Sequence, residues 1–84
     1  MSPHMEQDIT LNVCGLEPPE PLERVMDALS TMVEGQHLCM LIDREPRPLF
    51  GILERNGYAY EKRLRPDHLY EIRIWIKPST VPHI

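Results

Sequence analysis

Cys14 heads the run Cys14-Gly15-Leu16-Glu17-Pro18-Pro19-Glu20-Pro21. A thiol beside a helix start is a route to a nucleophile, because helix N–H groups and the helix dipole stabilise the thiolate. The competing use of a free cysteine is as a small apolar filler, and that reading is favoured for Cys14 and Cys39. Glu17 and Glu20 invite an acid–base pairing, yet acids in a first helical turn simply complement its dipole. Arg44 and Arg47, in Asp43-Arg44-Glu45-Pro46-Arg47-Pro48, suit a carboxylate, sulfate or phosphate. The alternative is that they pair with Asp43, Glu45 or Glu17 and pin the two proline turns together. Trp75 is the sole tryptophan and alternates with Arg73 and Lys77. It reads as an exposed aromatic anchor for a protein partner, or as cover for an open sheet face.

Other chemistries find no residues to carry them. His4, His37, His68 and His83 share no ligand spacing with cysteine or carboxylate, so neither metal nor cofactor is expected. No Ser-His-Asp order, glycine-rich phosphate loop or paired-carboxylate motif is recognisable. The net charge of −4 argues against a nucleic-acid binder, which carries a clustered basic excess. The charge is uneven: eight acids and one base up to Asp43, then five acids and eight bases. No apolar run approaches the roughly 20 residues of a membrane span. The short polar start Met1-Ser2-Pro3-His4-Met5 has no export pattern, which points to the cytoplasm and to two free thiols.

These groups need a scaffold, and the periodicity supplies one. Ile9, Leu11 and Val13 alternate with polar residues as a half-buried strand does. Leu22, Val25, Met26, Leu29 and Val33 form one apolar helical stripe about four turns long, with Gly35 as its stop. Residues 37–43 form a continuous apolar run, read as a central strand. Leu49, Ile52 and Leu53 mark a second helix closed by Asn56-Gly57. Residues 58–65 and 69–77 are two further strands joined by a turn at Pro66. Eighty-four residues make one domain, here 8–78, with a loose lead (1–7) and tail (79–84). The order β-α-β-α-β-β implies a two-layer α/β sandwich, both helices on one face of a mixed four-stranded sheet. Ile9, Leu11, Val13, Ile72, Ile74 and Ile76 should face the helices. Arg73, Trp75 and Lys77 should face away, with Trp75 near Cys39 and Leu41.

The order of elements and the stretch 11–22 resemble the TusA-like (SirA-like) sulfur-carrier superfamily. That family opens with a strand, then Asp-x-Arg-Gly-Leu-x-Cys-Pro-x-Pro, then the first helix. The chain is more similar still to an uncharacterised branch reading Gly-Leu-x-Pro-Pro-x-Pro and Asp-Arg-Glu-Pro-x-Pro-Leu. Gly15-Leu16-Glu17-Pro18-Pro19-Glu20-Pro21 and Asp43-Arg44-Glu45-Pro46-Arg47-Pro48-Leu49 match both motifs. The resemblance implies the same sandwich and a bacterial setting in redox, sulfur or nitrogen-oxide metabolism, where relatives accompany hemerythrin-like or cupin domains. It also places Pro18 where a carrier holds its persulfide cysteine, and proline has no nucleophile. Cys14 falls where the family has arginine.

The combined reading is a non-catalytic binding or adaptor domain, monomeric or weakly dimeric. Its expected surface is Gly15, Glu17, Pro18, Pro19, Glu20 and Pro21 with Arg44, Arg47 and Trp75, for a protein partner or a small anionic ligand. The alternative is a sulfur-transfer protein using Cys14 as the carrier thiol.

Overall fold

The computed structural model describes residues 8–77; the lead 1–7 and the tail 79–84 named above lie outside the described residues. The elements run β1 (Ile9–Asn12), α1 (Glu20–Thr31), β2 (His37–Ile42), α2 (Arg47–Arg55), β3 (Tyr58–Leu64) and β4 (Tyr70–Ile76). They form one four-stranded sheet in the order β1-β2-β4-β3. β1 lies parallel to β2, with Ile9 opposite Leu38, and β4 runs antiparallel to both β2 and β3. This is the expected mixed-sheet α/β fold.

Alternation decides which side of each strand is dry. Leu38, Met40 and Ile42 of β2, with Ile72 and Ile74 of β4, are buried beneath the helices together with Val25, Leu29, Leu49 and Leu53. The opposite parity gives Cys39 facing Arg73 and Leu41 facing Glu71 across the β2–β4 ladder. Trp75 falls on this outer side as expected, but its direct neighbour is His37. The two rings stack at 5.2 Å, and Trp75 is half-buried.

The end of α1 departs from the periodic reading. The helix stops at Thr31, and Val33 is 54% exposed rather than on the apolar stripe. Ser30 and Thr31 donate their hydroxyls to the Asp27 and Ala28 carbonyls, a local bonding that competes with helix continuation. Met32 turns extended and becomes the buried closing residue instead. Gly35, at φ +97°, belongs to the turn into β2 and is not the helix stop. α2 ends as its Asn-Gly predicts: Asn56 donates its amide to the Ile52 carbonyl, and Gly57 takes φ +83°. No helix among the described residues is long and apolar enough to cross a membrane.

Candidate functional site

Both strand-to-helix corners open at the same end of the sheet. After β1, Asn12 turns its side chain back to accept the Cys14 N–H at 2.9 Å. Gly15 then adopts φ +80°, a conformation costly for residues with a Cβ. Its N–H donates to the Asp43 carboxylate at 3.1 Å. That bond ties the first corner to the second, which leaves β2 at Ile42. The Glu20 N–H donates to the Glu17 carbonyl and the Arg47 N–H to the Glu45 carbonyl, so each corner folds onto itself before its helix begins.

The two helices open on the same chemical pattern. α1 has Pro19 at its N-cap and Pro21 two residues inside; α2 has Pro46 and Pro48 in the corresponding places. Proline has no N–H. Two donors are therefore deleted at each helix start, and the N–H between them is engaged by its own corner. Neither helix opens with the fan of free donors that an anion site at a helix N-terminus uses.

The corners instead enclose an apolar cleft of about 230 Å³. Pro18, Pro19, Pro21 and Leu22 form one wall; Arg44, Glu45, Pro46 and Pro48 form the other. Val25, Met40, Ile42 and Leu49 floor it. These are core residues, so the cleft is a slot reaching down to the hydrophobic core between the two helices.

The two charged residues that line this slot, Arg44 and Glu45, are each paired with a neighbour. Arg44 lies 3.9 Å from Asp43, and Arg47 pairs with Glu45 at 3.3 Å. Lys62 bonds the same Glu45 carboxylate while its ammonium sits 5.8 Å above the Phe50 ring. The Lys62 bond, with help from Arg47, holds the Glu45 carboxyl below its usual range and pushes the Lys62 ammonium up. Both arginines thus take the local pairings that the sequence offered as an alternative to an anion site.

Of the residues singled out in the sequence, Pro18, Pro19, Pro21 and Arg44 line the cleft, and Gly15 braces it through Asp43. Glu17 and Glu20 lie on the outer side of the proline wall, in a shallow depression with Glu23, Arg24 and Asp27. Arg47 is outside the cleft lining, its side chain 83% exposed. Trp75 is remote: it pairs with His37 at the far end of β2 and on the other face of the sheet. The apolar floor was not singled out. The repeat of Pro-x-Pro at both helix starts marks the walls, while the floor is set by how the two helices sit across the sheet.

Cys14 is half-buried and free of a disulfide. Burial pushes its thiol up from the ordinary value, and the carboxylates of Asp43 and Asp67 add to the rise; Arg65 offsets only part of it. The environment thus favours the neutral thiol, the reverse of the lowered pKa that a carrier cysteine needs. Among the described residues no group of three or more histidine, cysteine or acidic side chains is arranged to hold a metal.

Comparison with known proteins agrees with this architecture. A SirA-like protein from Desulfitobacterium hafniense, known from its crystal structure, superposes with a TM-score of 0.73 at 25% identity. The match covers 83% of this chain and 99% of that one. No curated protein matches the sequence. Residues 10–76, from β1 to the last residue of β4, match the family of uncharacterised conserved proteins DUF2249. The chain is a small SirA-like α/β domain that belongs to the DUF2249 family.

Proposed function

We propose that this chain is a non-catalytic binding module whose working surface is the cleft between the two proline corners. One observation carries the reading: both Pro-x-Pro helix starts line a single apolar opening onto the core. Prolines fix the backbone on both walls, and the Gly15–Asp43 bond braces them. A preorganised surface loses little conformational entropy when a ligand arrives. The test is a fluorescence-anisotropy titration with labelled peptides carrying one leucine or phenylalanine anchor. Binding should be lost when Leu22, half-buried on the cleft wall, is changed to Glu, with circular dichroism confirming the fold. Binding that survives Leu22→Glu overturns the reading.

The alternative is sulfur transfer through Cys14, favoured by the SirA-like fold and opposed by Pro18 at the carrier position and by the raised thiol pKa. Intact-mass measurement after incubation with a cysteine desulfurase and cysteine separates the two. A reducible sulfur adduct on Cys14, absent in Cys14→Ala, would favour transfer; no adduct beside a labelled carrier control favours binding.

A further inference from the structure

We infer that the ligand of this cleft is a protein segment presenting one apolar anchor side chain with lysine or arginine beside it, an inference that rests on the binding role proposed above. The volume suits a single apolar anchor group rather than a drug-sized ligand. An apolar cavity of about 150 Å³ admits a benzene ring, whereas pockets for complete small ligands span about 300–1,000 Å³. At about 230 Å³ the cleft holds one side chain the size of leucine, methionine or phenylalanine. The flanking residues of a segment anchored there lie on the surface outside.

On the α1 side that surface is acidic. Pro18 and Pro19 form the cleft wall on one side and the edge of the depression holding Glu17, Glu20, Glu23 and Asp27 on the other. Arg24 is the only base lining that depression, and its guanidinium bridges to Glu20 at 3.1 Å. Among the described residues no ion pair engages Glu17, Glu23 or Asp27. The outer sheet face differs: there Glu71 pairs with Arg63 and Asp8 with Arg73. On the α2 side Arg44 and Arg47 already face Asp43 and Glu45.

Uncompensated carboxylates therefore border only one side of the slot. This sets an orientation as well as a composition. The basic residues of the segment lie over α1, and a segment placing them over α2 meets carboxylates that are already paired. The anchor supplies the affinity, since burying one such side chain contributes roughly 10- to 150-fold. The charges supply selectivity and on-rate.

Calorimetric titration with three synthetic peptides tests this: a leucine anchor flanked by two lysines, the same anchor flanked by two glutamates, and the lysine peptide with serine in place of leucine. The lysine–leucine peptide should bind about tenfold tighter than the glutamate–leucine peptide, the scale of two exposed opposite-charge pairs. That preference should shrink toward unity in the folded triple variant Glu17→Gln, Glu23→Gln, Asp27→Asn. It should shrink equally in 1 M salt, where the Debye length is about 3 Å. Equal binding of both leucine peptides would overturn the charge inference and leave the cleft as the binding site. Failure of both leucine peptides to bind would remove the cleft reading itself. Equal binding of the serine peptide would show that cations alone are recognised and overturn the anchor.

Discussion

Asp43→Ala removes the side chain that, among the described residues, hydrogen-bonds the two corners together, and its consequences should appear in both stability and thiol chemistry. In the native fold the Asp43 carboxylate accepts the Gly15 N–H at 3.1 Å. A hydrogen bond to a charged group contributes roughly 1.5–3 kcal/mol when shielded. Asp43 has a side chain 38% exposed, so solvent reduces this to about 1 kcal/mol. The Arg44 pair, at 3.9 Å and more exposed still, adds almost nothing. In a domain of this size about 1 kcal/mol corresponds to a melting shift of roughly 4–8 °C. Asp43→Asn keeps an acceptor without the charge, and so should lose about half as much. The thiol supplies a second, independent reading. Asp43 is the largest electrostatic cause of the raised Cys14 pKa, after burial, so both variants should move the thiol's titration down toward its ordinary value of 9.0. Calorimetric melting, with iodoacetamide alkylation rates against pH in a Cys39→Ser background, measures the two effects. An unchanged melting temperature together with an unmoved alkylation profile would refute the bridging geometry.

Two glycines should respond to alanine with opposite sign. Gly15→Ala forces a Cβ into φ +80° with no compensating contact, a cost of about 1–2 kcal/mol. Gly51→Ala lies inside α2 and meets only the mobile end of Arg55 at 3.3 Å, so urea unfolding should show a gain of about 0.5–1 kcal/mol. Leu53→Ala empties a fully buried core position and should cost about 2–5 kcal/mol, enough to leave a large unfolded fraction at 37 °C by circular dichroism. The lowered Glu45 carboxyl makes a pH prediction: its contribution is present above the ordinary 4.5 and lost as pH falls through its folded value. Lys62→Met removes the largest cause of that shift. It should therefore flatten the loss of stability as pH falls below 4.5, measured by urea unfolding.

Much of the scaffold is readable because it rests on local alternation. Ile9, Leu11 and Val13 announce β1. Asn56-Gly57 announces the end of α2, where Asn56 does bond back to Ile52. The parity of Ile72, Ile74 and Trp75 orients β4. The end of α1 is not readable from the stripe alone, because Val33 keeps the helical spacing while the hydroxyls of Ser30 and Thr31 turn the chain away. The site divides in the same manner. Both proline corners are explicit in the sequence. Their effect is not, because the general preference of helix starts for anions is cancelled when proline occupies the N-cap and N2 of each helix. That Met40 and Ile42 floor an open slot depends on the separation of two helices across the sheet, a tertiary quantity with no local signal. Trp75 looks like an anchor by type, yet the His37 stack arises only from the register of β2 on β4.

Backbone amide shift mapping with the lysine–leucine peptide tests the central claim most directly. If the proline corners form the working surface, the largest changes fall on Leu22, Val25, Ile42 and Leu49, while Thr10, Cys39 and Trp75 on the outer sheet face stay in place. Shifts clustered around Cys39 and Trp75, with the cleft amides unmoved, would contradict it.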